Sequence, residues 1–486
     1  CTSLSDISTT KFIGGQGCNN SRMFLGCTSL LEADIKNWDL SAGVQWYGGS
    51  PFQGLVNLTK LDMTGMNIKL TNRSDNAFAG IGTNVTDGCE FLLSGIDWST
   101  STSTYTVYWF SSSKFKSTSN LSSWNFPSTW SGTGMFNSAK ITGTNSVLNL
   151  SDWTTYSATN FPSFSGFNTG LGNTGAKVNL SNINLSNVTD MNNSFYYTDI
   201  SKIIGLSTWG ATAGNVNLYR TFIGSDHLSF SADDTQTFAS VGDSSPNGVA
   251  PNITNIDLTG VTSLYQLFNG ARFTNVPDLA SATFSSSPTS FSYVFNGFRA
   301  SDANSHLDFS NTTVKISEAA QMFSSVYVDN ITFGDNVDFS SLTNVTNMFY
   351  HPNGGQAVDV KFPTNADFSS LTTTANWFAG LVGPTTGPLT TCQIDNLIRR
   401  FRATAYNSAL NVNFYNGKIT EAPSVVRAQE AELVANGWTI TENSTDATLP
   451  FAYASYAVDP TGITTISPTT TPPAGSVFTA TNSLSI

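Results

Sequence analysis

The chain has 486 residues, a formal net charge of −12 at pH 7, and only 11% charged residues. Phosphate binding needs clustered Lys and Arg, so the acidic balance argues against nucleic acid as a partner. No apolar run approaches the roughly 18 residues that a membrane-spanning helix needs, which argues against membrane insertion. The polar residues are mainly Ser, Thr, Asn and Gly, which are typical of stacked β-turns.

A phenylalanine recurs along most of the chain at a mean spacing of about 27 residues, a period typical of solenoids. We therefore predict a β-rich solenoid of parallel stacked strands over residues 1–388, with about fourteen turns. Two stretches interrupt the period, and we interpret 99–104 and 243–248 as loops that leave the regular turn. The phenylalanines are Phe24, Phe52, Phe78, Phe110, Phe136, Phe164, Phe195, Phe222, Phe238, Phe268, Phe295, Phe323, Phe349 and Phe378.

One turn of the repeat shows how its residues are expected to be placed. Val345, Met348 and Phe349 are predicted to point into the core. Asn344 and Thr346 are predicted to bond to their counterparts one turn away. This motif is therefore interpreted as a structural repeat and not as a functional motif.

Short runs of alternating apolar and polar residues carry an aspartate at the same place in several turns. Such alternation predicts a strand with one buried face. An aspartate that recurs from turn to turn indicates a structural role, because a catalytic pair would be unique. No nucleophile motif or metal-ligand spacing stands out, so we predict no catalytic residue, no metal site and no cofactor. The recurring aspartates are Asp62, Asp257, Asp308, Asp338 and Asp367.

The cysteines and histidines are interpreted as structural or surface residues. Cys1 and Cys27 open the same tetrapeptide, so they occupy equivalent positions in neighbouring turns. We predict buried free thiols at these positions, while spacing alone leaves a disulfide open. The histidines His227, His306 and His351 have no metal-ligand neighbours in sequence and are predicted to be solvated loop residues.

The composition changes near residue 389. Residues 389–446 are richer in charge and predict a helix, a strand, a second helix and a final strand. Because the exposed last turn of a solenoid needs a cover, we predict that this segment is a small α/β capping unit. Residues 447–486 are rich in Thr and Pro, and we interpret them as a linker or as the start of a further β domain.

Several turns resemble a known bacterial repeat. The segments 24–31, 185–195, 256–268 and 342–349 carry Asn-Val-Thr-x-Met-Phe-like and Gly-Cys-Thr-Ser-Leu-like blocks, which resemble the BspA-type leucine-rich repeat of bacterial surface proteins. The capping segment is similar to endings that follow such repeats in bacterial surface proteins and in phage tail or virion proteins. The resemblance implies a leucine-rich-repeat-like fold and a non-enzymatic attachment or structural module, either exported or exposed on a virion.

An extended surface rich in hydroxyls, amides and aromatic rings favours a binding function. We predict an adhesin-like module that recognises a glycan or protein receptor, on a bacterial cell surface or on a virion structure such as a tail fibre. The alternatives are an architectural fibre, decoration or sheath protein that contacts copies of itself, and a polysaccharide depolymerase. Functional residues are expected in the two loops and in the aromatic-rich middle turns. The candidates to stack on sugars or receptor side chains are Trp46, Tyr47, Trp109, Trp209 and Tyr327.

Overall fold

In a computed structural model, the chain winds into a parallel β-solenoid of about eleven turns, followed by a small unit with two helices. This confirms the predicted β-rich solenoid. The structure describes most residues between 3 and 441, and 442–486 lie outside the described residues. The longer internal gaps in the description are 169–175, 205–216, 223–229, 232–257, 352–357, 380–388 and 415–424.

Short parallel strands mark the turns. Every strand pairing among the described residues is parallel, so residues at the same place in successive turns stack in columns. The strands are β1 (Cys18–Asn19), β2 (Glu32–Asp34), β3 (Leu40–Gln45), β4 (Lys60–Asp62), β5 (Ile68–Leu70), β6 (Glu90–Leu92), β7 (Lys114–Phe115), β8 (Lys140–Ile141), β9 (Val147–Asn149), β10 (Lys177–Asn179), β11 (Lys202–Ile204), β12 (Phe230–Ser231), β13 (Arg272–Phe273), β14 (Thr289–Ser290), β15 (Arg299–Ala300), β16 (His306–Phe309), β17 (Val314–Glu318), β18 (Asn330–Phe333), β19 (Val337–Asp338), β20 (Asp359–Lys361), β21 (Asn411–Asn413) and β22 (Thr439–Thr441).

The recurring phenylalanines form a stacked column in the core. From Phe78 to Phe378, each ring lies nearly parallel to the next, with centroids 4.9 to 5.9 Å apart. The backbone N–H of each of these residues donates to the carbonyl that precedes the next phenylalanine, as from Phe323 to Met348 at 2.8 Å. Since burial of one such ring is worth about 1.5–3 kcal/mol, the column is a major source of the solenoid's stability.

The column also corrects the predicted number of turns. The rings of Phe222 and Phe268 are 5.4 Å apart and 7° from parallel. The N–H of Phe222 donates to the carbonyl of Leu267 at 3.0 Å, so these two phenylalanines belong to neighbouring turns. Phe238 lies outside the described residues. The predicted phenylalanines on either side of it, Phe222 and Phe268, are direct neighbours in the column. The prediction of about fourteen turns was therefore too high, and counting the 16-residue interval from Phe222 to Phe238 as a turn accounts for one of the extra turns.

A recurring bond joins an Asn or Asp side chain to a backbone N–H two residues later in the same turn. Val345, Met348 and Phe349 are fully buried, as predicted. The Asn344 side chain, however, accepts the backbone N–H of Thr346 at 2.9 Å, which corrects the predicted bond between turns. The same short loop recurs at the predicted structural aspartates, where the carboxylate accepts an N–H two residues later. These bonds join Asp62 to Thr64, Asp308 to Ser310, Asp338 to Ser340 and Asp367 to Ser369.

Two helices and two strands cover the last turn of the solenoid, in the predicted order. They are α1 (Thr391–Thr404), β21, α2 (Val425–Ala435) and β22, with β21 and β22 paired in parallel. The ring of Phe414 stacks on Phe378 at 5.7 Å, so the column of phenylalanines continues into this unit. On α1, Phe401 packs against Phe368 at 5.4 Å. The boundary at residue 389 remains a prediction, and the predicted segment 447–486 lies outside the described residues.

Candidate binding groove

Two of the predicted contact residues lie in the core. Trp46 and Trp109 are 0% exposed, and their rings meet at 6.3 Å inside the solenoid. The indole N–H of Trp109 donates to the carbonyl of Ser74 at 2.9 Å, which satisfies the ring's only polar group. Neither ring can stack on a ligand at the surface, so the sequence-based prediction for these two residues was wrong. Tryptophans in the middle turns fill the inside of the solenoid.

Tyr327 is half-buried and already in contact with two other side chains. The guanidinium of Arg299 lies 3.9 Å from the centre of its ring. The ring of His351 meets it edge-on at 5.2 Å. These contacts link Tyr327 to the neighbouring turns on both sides, which gives it a structural role. Tyr47 and Trp209 lie outside the described residues, so the structure brings together no surface site from the five predicted residues.

The histidines differ from the prediction of solvated loop residues. His306 lies in β16, and its Nε2 is 2.9 Å from the hydroxyl of Thr332 in the next turn. His351 is 3% exposed, and its burial, together with the positive charge of Arg299, lowers its pKa. Both side chains are part of the packed turns. His227 lies outside the described residues.

The cysteines that can be examined are free thiols. Cys27 and Cys89 are buried, and Cys392 is exposed. Burial raises the pKa of the Cys89 thiol far above its ordinary value, so this thiol is unreactive. Cys1 lies outside the described residues, so the prediction of buried free thiols at Cys1 and Cys27 is tested at Cys27 only.

A groove of about 300 Å³ crosses the outer corner of the middle turns. In many turns this corner is formed by residues with positive φ that flank the core phenylalanine, such as Gln266 and Gly270 around Phe268. The groove follows the corner from the turn of Phe110 to the turn of Phe222, so its long direction follows the solenoid axis. Its lining is formed by Tyr108, Thr133, Gly134, Asn137, Asn160, Phe161, Ser163, Ser165, Asp190, Asn192, Asn193, Tyr196 and Arg220.

Small residues make the floor of the groove. Gly134 has a φ of +60°, and a Cβ atom there would lie 2.4 Å from the ring of Tyr108. The glycine therefore permits both the left-handed backbone and the close position of this ring. Ser163 and Ser165 flank the core ring of Phe164 and fill little of the corner. The exposed ring of Tyr108 forms one wall of the space that remains.

A bonded row of polar side chains runs beside the floor. Asp190 accepts the side-chain amide of Asn160 at 3.0 Å from one neighbouring turn and that of Asn217 at 3.2 Å from the other. It also accepts the backbone N–H of Asn192 at 2.9 Å. These donors hold the half-buried carboxylate in a fixed orientation at the groove. Among the described lining residues, Asp190 is the only carboxylate.

Aromatic rings and an arginine form the far end. The ring of Tyr196 lines the groove and meets that of Tyr197 edge-on at 4.5 Å. Arg220 lies over the ring of Tyr219 at 4.8 Å. Its Nε–H donates to the Oε1 of Gln266 at 2.6 Å. Rigid aromatic side chains beside amides and hydroxyls form a surface that suits sugar rings and their hydroxyl groups.

None of the residues that line the groove was among the predicted contact residues. The groove lies on the middle turns that were expected to carry function, yet the tryptophans that drew attention to them are buried. The groove could have been found in the sequence from the size of the corner residue, which lies two residues before each core phenylalanine. At this position Tyr108 and Arg220 are large and Gly134 is small, and the contrast makes the groove.

Comparison with known protein families gives a match to part of the chain. A family described as a Mycoplasma protein of unknown function, DUF285, matches residues 235–359, about a quarter of the chain. The groove residues lie outside this segment. No curated protein and no solved structure matches the chain. The match and the solenoid are compatible with a repeat-containing surface protein. The match does not extend to the BspA-type repeat, so that resemblance remains a prediction.

Neither helix among the described residues is both long and apolar enough to cross a membrane. In the part of the chain that the structure describes, no group of three or more His, Cys, Asp or Glu side chains is placed to hold a metal ion.

Proposed function

We propose that this protein is a non-enzymatic, surface-exposed attachment module that binds a glycan in the groove described above. The observation that carries this proposal is the lining itself. Tyr108 and Tyr196 stand at the walls, and the rest of the lining consists of Gly134, the ring of Phe161, short hydroxyl and amide side chains, Asp190 and Arg220. A bacterial cell surface or a phage virion, such as a tail fibre, is the setting we propose for such a module.

Binding to an array of bacterial and host glycans tests the proposal. Replacing Tyr196 by alanine should weaken binding about tenfold or more, as loss of an anchoring aromatic ring does at other interfaces. Tyr350→Ala is the matched control, because Tyr350 follows Phe349 as Tyr196 follows Phe195 but lies outside the groove. Equal binding by the two variants, or no binding by the unaltered chain, would contradict the proposal.

A second candidate is an architectural protein that assembles with copies of itself. Exposed apolar side chains favour it: Met23, Leu25 and Leu31 are 44%, 53% and 51% exposed in one of the first turns. Contiguous exposed apolar surface often marks a protein contact. Sedimentation of the purified chain distinguishes the two candidates, since a concentration-dependent polymer favours assembly and a monomer favours attachment.

A polysaccharide depolymerase is the third candidate. Glycoside hydrolysis generally uses a pair of carboxylates, whereas one carboxylate lines the described part of the groove. We therefore propose binding without hydrolysis. Chromatography of each bound glycan after incubation with the protein tests this, and any shortening of the glycan chain would favour the enzyme.

A further inference from the structure

Arg220 is the only cationic side chain among the described residues that line the groove. Neutral groups hold it in place. Its Nε–H bonds to Gln266 at 2.6 Å, and its guanidinium lies over Tyr219. Tyr219 in turn stacks on Tyr265, with centroids 5.3 Å apart and planes 9° from parallel. The guanidinium is therefore fixed at one end of the groove before any ligand arrives.

No ion pair joins Arg220 to a carboxylate among the described residues, in contrast to Arg402, which pairs with Glu432, and Arg427, which pairs with Glu430. The bond to Gln266 uses Nε and leaves the two terminal nitrogens available. The carboxylate of Asp190 is engaged by its own three donors. A positive charge is thus held at the groove of a protein whose net charge is −12.

A fixed guanidinium with free N–H groups is suited to bind a carboxylate through two parallel hydrogen bonds. The remainder of the lining determines which carboxylate is expected. An acidic peptide would place apolar and backbone groups on the floor, where Ser163, Ser165 and Asn137 offer hydroxyls and an amide. A sugar offers hydroxyls to these groups and a ring face to Tyr108 or Tyr196.

We propose that the groove binds a glycan containing a carboxylated sugar, such as a uronic or sialic acid, and that Arg220 pairs with its carboxylate. This inference rests on the proposed attachment function and narrows the class of its ligand. The neutral hydroxyls of the same glycan lie toward Asp190 and Asn160, since a second acidic sugar beside Asp190 would be repelled.

The test compares carboxylated oligosaccharides with their neutral counterparts. A set of galacturonate, glucuronate and sialylated oligosaccharides is measured by calorimetry against the full chain, each beside the same oligosaccharide after reduction of its carboxylates to alcohols. At least one acidic form should bind about tenfold tighter than its reduced partner, because hydrogen bonds to a charged group are the stronger ones. Added salt should weaken binding of the acidic form more than that of the neutral form.

Variants assign the preference to one residue. Arg220→Gln should remove the preference for the acidic form over the reduced form, while Arg220→Lys should keep part of this preference. Arg22→Gln is the matched control. Arg22 also lies two residues before a core phenylalanine, and its Nε–H donates to Gln53 at 3.0 Å, but it lies outside the groove. This control changes the net charge equally and should keep the full preference.

Each outcome has a defined meaning. If neutral glycans bind as tightly as acidic ones, the inference fails while the attachment function stands. If no glycan binds, both fail. A preference retained in Arg220→Gln, or tight binding of an acidic peptide in place of any glycan, would overturn the assignment of Arg220. Should Arg220→Gln lose its near-ultraviolet spectrum and hence its fold, Arg220→Lys decides the question by the same comparison.

Discussion

The middle turns and the later turns of the solenoid share one core but differ at the corner. Both contribute rings to the same stacked column. In the later turns, the corner is filled by side chains that bond to one another. Gln321 donates to the hydroxyl of Tyr293 at 2.8 Å and accepts from Asn296 at 3.4 Å. In the middle turns, Gly134 and short serines leave the same corner open.

This difference shows where a repeat protein can acquire a site. The core residues set the path of the backbone and recur because every turn needs them. The corner residues are free to vary in size, and a run of small residues among large ones makes a groove without a change in fold. A binding site of this kind appears in the sequence as a departure from the repeat and not as a motif.

Removing a core ring should have the largest effect, and the effect should be equal in the two regions. Phe164→Ala, beneath the groove, and Phe349→Ala, in the later turns, each remove a fully buried ring that stacks on two others. Each should lower the free energy of unfolding by about 3–5 kcal/mol, measured by guanidinium denaturation and protease resistance.

The two variants should differ in ligand binding. Phe164 lies between Ser163 and Ser165, so its loss should also weaken glycan binding, whereas Phe349→Ala should bind as the unaltered chain does. A loss of stability below about 1 kcal/mol in either variant would mean that its ring does not mark a turn of the core.

Periodicity was sufficient to predict the solenoid, the burial of Phe349 and the order of elements in the capping unit. It was insufficient to fix the register. Met191 and Val345 each lie four residues before their phenylalanine, and each donates its N–H to the neighbouring turn at 2.9 Å. Met191 and Met348 therefore occupy different positions in the turn, although both end a Val-Thr-x-Met motif. The same motif can therefore lie three residues nearer to or farther from the core phenylalanine, because Phe, Met and Val are all accepted at core positions.

The site could not be predicted because its features depend on contacts between distant residues. The row from Asn160 through Asp190 to Asn217 forms only when three turns are stacked in register. The position of Arg220 depends on Gln266, which is 46 residues away and follows an interval that the sequence alone divided wrongly. Tryptophans drew attention as exposed candidates, but their size makes them the residues that best fill the core of the middle turns.

A larger side chain at the corner of a middle turn should close the groove there, so that the corner is filled as it is in the later turns. Ser165 follows Phe164 just as Tyr196 and Tyr350 follow their phenylalanines, so Ser165→Tyr adds a residue type that this position already accepts. We expect a change in stability within about 0.5 kcal/mol. The new ring should occupy the groove and weaken glycan binding about tenfold or more, measured by calorimetry.

The control for this variant is Ser325→Tyr, an added ring near the corner of a later turn and outside the groove. It should leave binding unchanged. Unchanged binding by Ser165→Tyr together with an unchanged fold would show that the ligand does not enter the groove.

The smallest effect expected concerns pH and the later turns. Burial tends to raise the pKa of Asp338, but bonds from Ser340 and the charge of Lys315 outweigh burial and hold this pKa below its ordinary value. A lowered pKa stabilises the fold above the ordinary aspartate value near 3.9, and the stabilisation is lost as the pH falls through the folded value. Because the carboxylate is largely exposed, its contribution should stay below about 1 kcal/mol.

Asp338→Asn keeps an oxygen to accept the N–H of Ser340 but removes the titrating group. Between about pH 6 and pH 3, the unfolding temperature of the variant should therefore fall less than that of the unaltered chain. Glycan binding at neutral pH should be the same in both, since Asp338 lies in the turns whose corner is filled. If the unfolding temperatures of the two proteins fall equally with pH, the bonds from Ser340 and Lys315 do not lower the pKa of Asp338 in the folded state.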